Sequence, residues 1–212
     1  VARDASNGWN AGVSYHIAMR IAFFGGSFDP PHLGHLAVAR AARETVAIDT
    51  ILFAPVGNQP LKTAGALASF EDRVAMTRLA IANQPGLELS LIDKPSNQPN
   101  YTIHTLTRLR DTLPAGAELF LLLGADAYRS LPQWHRAQEV PTLARLIVAA
   151  RPGEILPSEH PGILLLPGLN YEISATEIRD RIRNQIHGDP SNLPPLLPPA
   201  VLTYIHEHNL YE

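Results

Sequence analysis

Residues 20–36 read RIAFFGGSFDPPHLGHL, and the order of events in that string decides the fold. Arg20–Phe24 is a short apolar run with the composition of a buried strand. Gly25 and Gly26 end it. Pro31 and His32 then open a helix, because the N–H that proline lacks would have no partner in a first helical turn. In an open α/β sheet, the turn from first strand to first helix lies at the carboxyl edge, where such folds bind ligands.

The same alternation continues downstream. Strand-like runs occur at Thr50–Ala54, Leu87–Ile92, Glu118–Leu123, Arg145–Ala149 and Ile163–Leu166. Helical spacing occupies Leu33–Thr45, Phe70–Ala82 and Tyr101–Leu113, with a broken stretch from Ala125 to Val140. Helices at Thr176–Gln185 and Val201–His208 close the chain, and Pro190–Pro199 reads as a rigid linker outside the core. The expected fold is α/β: a Rossmann-like, doubly wound, mostly parallel sheet of about six strands, with helices on both faces and a helical C-terminus. Residues 1–18 are polar and aperiodic, so they read as an extension outside a single domain spanning 19–212.

Composition narrows the function. A 212-residue chain with 45% hydrophobic and 17% charged residues is globular and large enough for one well-filled core. A net charge of −3 argues against a general nucleic-acid binder, which needs a basic surface. The absence of cysteine removes disulfides, thiolate metal sites and cysteine nucleophiles, and fits a cytoplasmic protein. No apolar run approaches the ~20 residues that span a bilayer.

The chemistry concentrates in the first turn. Two glycines let the backbone approach a bulky anion, and the helix N-terminus adds unpaired N–H donors and partial positive charge. His32 and His35 are three residues apart, so both project from one face of that turn. Together they can donate to one phosphate group, and fixed donors of this kind stabilise charge that builds on phosphoryl oxygens. A ring at the mouth of a ligand cleft should contribute little packing. A zinc pair would want histidines at i and i+4 with a neighbouring Glu. A dinucleotide fingerprint wants G-x-G-x-x-G, whereas these glycines fall at 25, 26 and 34. The bland alternative is a tight turn with two surface histidines.

The string GGSFDPPHLGHL closely resembles the signature of the H-x-G-H nucleotidyltransferase superfamily, and within it the nicotinate-nucleotide adenylyltransferases. The resemblance extends over most of 19–212. Phe70-Glu71-Asp72-Arg73-Val74-Ala75-Met76 is similar to the family's R-x-x-M helix, and Tyr101-Thr102-Ile103-His104-Thr105-Leu106 to its Y-T-x-x-T-L segment. Gly124-Ala125-Asp126 followed by Trp134, Arg151-Pro152-Gly153, and Ile173-Ser174-Ala175-Thr176-Glu177-Ile178-Arg179 match further motifs, as does the ending Leu210-Tyr211.

This resemblance implies transfer of AMP from ATP to nicotinate mononucleotide, releasing pyrophosphate. ATP would lie along Gly25, Gly26, Ser27 and Phe28, with His32, His35 and Arg179 on the phosphates. Gly124, Asp126, Ser174 and Thr176 would complete the ATP site. Lys62, Thr102, Trp134 and Arg151 would serve the acceptor, Trp134 by stacking on its pyridine ring. Mg2+ is implied as a companion of the ATP phosphates, with no metal site built from the chain. Plain readings stand beside these: Ser174 as an N-cap with Glu177 completing a capping box, Asp126 as the N-cap of its helix, Trp134 as core. Val56 stands where the family commonly has Asn, which implies that this contact is lost or moves to Asn58, and His104 stands where an acid or amide is usual. Nicotinamide mononucleotide as acceptor, or a catalytically silent nucleotide-binding module, are the alternatives.

Overall fold

The computed structural model describes residues 18–60, 65–150, 162–166, 173–184 and 196–212. Its centre is a parallel sheet of six strands: β1 (Arg20–Gly26), β2 (Thr50–Pro55), β3 (Leu87–Leu89), β4 (Glu118–Gly124), β5 (Arg145–Ala149) and β6 (Leu164–Leu166). Their order is β3-β2-β1-β4-β5-β6. The chain therefore winds outward from β1 to one edge, returns, and winds outward from β4 to the other.

Strand alternation builds two cores from one sheet. Ala22 and Phe24 of β1 and Phe120 and Leu122 of β4 pack on one face with Leu36, Ala39 and Ala42 of helix α1 (Leu33–Val46). Phe23, Leu119, Leu121 and Leu123 point to the other face, against Ile103, Leu106 and Leu109 of helix α3 (Thr102–Thr112). Each such fully buried Phe or Leu contributes about 1.5–3 kcal/mol by leaving water. Because both faces are covered, the strands are nearly all-apolar, which is why they read as continuous runs.

A third cluster lies off the sheet. Met76 and Ala80 of helix α2 (Phe70–Ile81) pack with Ile178 and Ile182 of helix α6 (Ala175–Asn184) and with Val201 and Ile205 of helix α7 (Pro199–Glu207). Helix α2 is capped by Ser69, whose hydroxyl accepts the Asp72 N–H at 3.0 Å, and its first turn carries Glu71 and Asp72. The broken stretch after β4 resolves into α4 (Ala125–Ser130), 3-10 turns at Leu131–Gln133 and Ala137–Glu139, and α5 (Val140–Leu143). Helices α6 and α7 close the fold.

One expectation needs correction. Pro190–Pro199 is not wholly a linker: Leu197 is buried in the third cluster, and the Leu196 carbonyl accepts the Leu33 N–H at 2.9 Å. A leucine pair between prolines still buries apolar surface when a core lies beside it. Residues 1–17 fall outside the described residues, so the expectation for that segment stands where the sequence left it. Among the described residues, no helix is long and apolar enough to cross a membrane.

Candidate active site

The ladder between β1 and β4 ends at Phe23–Leu121, three residues short of the ends of both strands at Gly26 and Gly124. This is where the strand order reverses, so the two chain exits diverge and leave a crevice at the carboxyl edge. The predicted phosphate turn, Gly25 to His35, forms one wall.

His32 is the N-cap residue of α1, and His35 lies one turn in. Their rings stack with centroids 3.7 Å apart. The Nδ1 of His35 accepts the His32 backbone N–H at 3.1 Å. A neutral His35 must therefore carry its proton on Nε2, which leaves that N–H as a donor. Burial lowers the His32 pKa to about 4. Burial, with the charge of His32 added, holds His35 well below the usual histidine range. Both rings are neutral donors at neutral pH, not cations. The His32 Nδ1 is buried and has no hydrogen-bond partner among the described residues.

Gly34 makes this stack possible. A Cβ there would lie 3.0 Å from the His32 Nδ1 and 3.7 Å from the Ile173 Cβ. The glycine between the histidines is thus needed for close approach, letting the His32 ring lie over the first turn and α6's entry pack beside it. The small packing role expected for His35 is corrected here: its ring lies 5.0 Å from Phe28 and 6.0 Å from Phe24, centroid to centroid. It belongs to the aromatic cluster that Phe28 extends.

From the far end of the chain, Arg179 reaches this turn. Its Nη1 donates to the Asp29 carbonyl at 2.8 Å and its Nη2 to the Thr176 hydroxyl at 3.2 Å. Ser174 caps α6 by accepting the Glu177 N–H at 3.1 Å, so the N-cap half of its plain reading is realised, while the Glu177 carboxylate pairs with Arg181. The fold thus gathers Ser27, Phe28, His32, His35, Ser174, Thr176 and Arg179 at one place. Gly124 and Asp126 flank the crevice from β4. Asp126 is not the N-cap, which is Gly124; it sits in the first turn of α4, exposed, with Arg129 Nη1 at 2.7 Å. The backbone turns helical two residues earlier than the carboxylate-cap reading requires.

A second group of rings stands at the start of α3. Tyr101 lies 4.4 Å from His135 and 5.6 Å from His104, centroid to centroid. Thr102 opens the helix, so its N–H belongs to the first turn. Trp134 packs partly on the second core and donates from Nε1 to the Ser130 hydroxyl at 3.1 Å. Core packing and partial exposure coexist there. The contact expected to move to Asn58 is engaged elsewhere: its Nδ2 donates to the Ser96 carbonyl, and to the Gln98 carbonyl at 3.3 Å. Gly57 sits so close to this loop that a Cβ would meet the Pro95 nitrogen at 2.4 Å. Lys62 and Arg151 lie outside the described residues.

Residues 23–181 match the family described as cytidylyltransferase-like. A probable nicotinate-nucleotide adenylyltransferase of Roseiflexus sp. (strain RS-1) is 40% identical over 201 residues, covering 90% of this chain and 97% of the relative. One from Gloeobacter violaceus is also 40% identical, over 203 residues, covering 91% and 96%. The chain belongs to the nicotinate-nucleotide adenylyltransferase family. Among solved structures, the Plasmodium falciparum nicotinic acid mononucleotide adenylyltransferase complexed with NaAD superposes with a TM-score of 0.76. It is 20% identical and covers 91% of this chain and 97% of its own, so it speaks for the shared fold.

Sequence reasoning quoted three residues within its motifs but gave them no role, and these hold the family's signature turn in place. Arg73 is buried, with Nη1 donating to the Ser27 carbonyl at 2.7 Å and the Val56 carbonyl at 2.9 Å. Asp29 is buried, and Tyr211 donates to its carboxylate at 2.8 Å. A signal existed for Arg73: it lies three residues before Met76, so it shares the buried helix face with Met76, Thr77 and Ala80.

Proposed function

We infer that this chain transfers AMP from ATP to nicotinate mononucleotide, giving nicotinate adenine dinucleotide and pyrophosphate. The observation that carries the reading is the stacked His32–His35 pair at the α1 N-terminus, facing Arg179 from α6 across the Asp29 carbonyl. In this reading the acceptor's 5′-phosphate oxygen forms a bond to the α-phosphorus of ATP. The bond from that phosphorus to the bridging oxygen breaks, and pyrophosphate leaves. No protein nucleophile takes part.

The chain's contribution is placement and charge stabilisation. Neutral histidine donors, already fixed by stacking and by the His32 N–H, need no reorganisation when charge grows on the phosphate oxygens. Arg179 offers a planar fork suited to phosphate. The divergence of β1 and β4 gives the adenosine its cleft beside Gly124. Among the described residues, no three His, Asp or Glu side chains form a group able to hold a metal ion. The Asp29 carboxylate, which belongs to the phosphate turn itself, is taken up by the Leu67 and Ala68 N–H groups and Tyr211. Such a donor set fits an Mg2+ that is held through triphosphate oxygens and water, where it would neutralise phosphate charge.

At the other end, Trp134 is the proposed platform for the pyridine ring, and the Thr102 N–H the proposed donor to its carboxylate. Lys62 and Arg151 remain proposed contacts of the acceptor. The test is pyrophosphate release from ATP with nicotinate mononucleotide, nicotinamide mononucleotide and phosphopantetheine in parallel. Turnover is expected with the acid. Equal or better turnover with the amide would overturn the acceptor assignment, and none with any acceptor would overturn the activity.

A further inference from the structure

Four groups converge on a single residue in the phosphate turn. The Asp29 carboxylate accepts the Leu67 N–H at 2.7 Å, the Ala68 N–H at 3.1 Å and the Tyr211 hydroxyl at 2.8 Å. Its carbonyl accepts from Arg179 at 2.8 Å. Arg73 closes the ring from below, bonding the carbonyls of Ser27, Val56 and Ala68. The turn that carries the triphosphate is thereby tied to β2, α2, α6 and the chain's last residues.

The backbone on both sides of this contact is left-handed at an aromatic residue. Phe28 has φ 48° and Tyr211 has φ 69°. Such a conformation is strained for a bulky residue and persists only where the surroundings over-determine it. Phe28 is held by packing against Phe24 and Phe53. Tyr211 is buried, and its hydroxyl reaches Asp29 from a turn that follows α7. Burial, and then the neighbouring Asp29 carboxylate, push the Tyr211 phenol above its usual range, so it stays a donor.

We propose that Tyr211, acting through Asp29, is a positioning residue for adenylyl transfer, making the C-terminal turn part of the triphosphate site. The proposal rests on the function inferred above and adds a residue that touches neither substrate. Asp29 lies three residues before His32, so a tilt of its peptide displaces the helix N-terminus on which both histidines stand. Fixed donors lose their value when misplaced by even an ångström.

The neighbouring tyrosine provides an internal control. Tyr204 donates to Asp72 at 2.9 Å and so pins α7 to α2 without touching the phosphate turn. Tyr211→Phe and Tyr204→Phe each delete one hydroxyl from the same terminal segment. Tyr211→Phe is expected to lower kcat by roughly tenfold and to weaken binding of a non-hydrolysable ATP analogue to a similar degree, measured well below Tm. KM for the acceptor should stay within about twofold of wild type, as should every constant of Tyr204→Phe. In an Asp29→Asn background, adding Tyr211→Phe should change kcat little further, because the two act as one unit.

If Tyr211→Phe keeps more than half the wild-type kcat and analogue affinity, the proposal fails. It fails equally if both tyrosine variants lose activity in proportion to their drop in Tm. Should Tyr211→Phe not fold, Asp29→Asn alone decides: full activity there would remove the relay. A wild-type protein that binds the analogue but makes no dinucleotide would instead sink the acceptor assignment, and the analogue-binding arm would still judge Tyr211.

Discussion

At the β1–α1 end of the crevice, Asp29 and His32 are almost wholly buried, and the turn that carries them is bonded to Arg73, Arg179 and Tyr211. At the α3 end, His104 and His135 stand exposed and Tyr101 leans between them; the bonds that brace this entry, Asn58 with Asn100 and Thr105 with Asp93, hold its backbone rather than the rings. The contrast matches what each end is asked to do in the proposed reaction. Charge develops at phosphorus, where donors help only if they are already in place. A flat ring is held by stacking, which tolerates small adjustments of its platform. One end is built for precision and the other for fit.

The sharpest way to break this contrast is at the rigid end. His35→Ala should cut turnover by roughly 10²-fold or more, the scale of losing one fixed transition-state donor. Its Tm should fall as well, since the ring packs on Phe28 and Phe24. Pyrophosphate release and thermal unfolding on one preparation separate the two effects. Retention of more than half the turnover would end the phosphate-clamp mechanism.

Arg179→Lys keeps the charge but cannot span the Asp29 carbonyl and the Thr176 hydroxyl at once. A drop of roughly tenfold in kcat is expected, because a point charge replaces a fork. Wild-type kcat in the lysine variant would reduce Arg179 to a surface charge on α6.

At the adaptable end the effect should be smaller and confined to one substrate. Trp134→Ala is expected to raise KM for the acceptor by about three- to tenfold, the worth of one aromatic stacking contact. KM for ATP should hold. Equal rises in both would show that the two ends are not separate.

The smallest effect concerns pH. An unfolded histidine titrates near ~6.5, whereas burial holds folded His32 at about 4. As pH falls from 7 to 5 the unfolded chain takes up a proton that the folded ring refuses, so stability is lost, on the order of 1–2 kcal/mol. His35 is displaced in the same direction. Thermal unfolding at both pH values should show a lower Tm at pH 5, with a shallower decline in His32→Asn. A flat profile would mean that the rings are not buried as neutral groups.

Much of the architecture is legible along the chain because local chemistry dictates it. Strands covered on both faces must be apolar throughout, and all six runs fall at or within a few residues of the observed strands. The expected Leu87–Ile92 strand pairs only over Leu87–Leu89, since the chain then turns into the loop anchored by the buried Asp93 and Thr105, bonded at 2.5 Å. The phosphate turn was readable because its glycines, proline and histidines act over a few residues. Asp126 misled because a carboxylate after a strand suits both a cap and a first turn, and only the backbone dihedrals of Gly124 distinguish them.

The tertiary structure alone decided which remote residues hold that turn. Strand order places the crevice between β1 and β4, and no local pattern states that these two strands are neighbours. Arg73 meets Ser27 across 46 residues, Arg179 meets Asp29 across 150, and Tyr211 meets Asp29 across 182. Local propensity carries no signal over such separations. Those bonds form because packing α2, α6 and α7 into a common cluster buries apolar surface, and that burial brings three polar tips to one carboxyl edge. Sequence chose the chemistry of the turn; the hydrophobic effect chose its company.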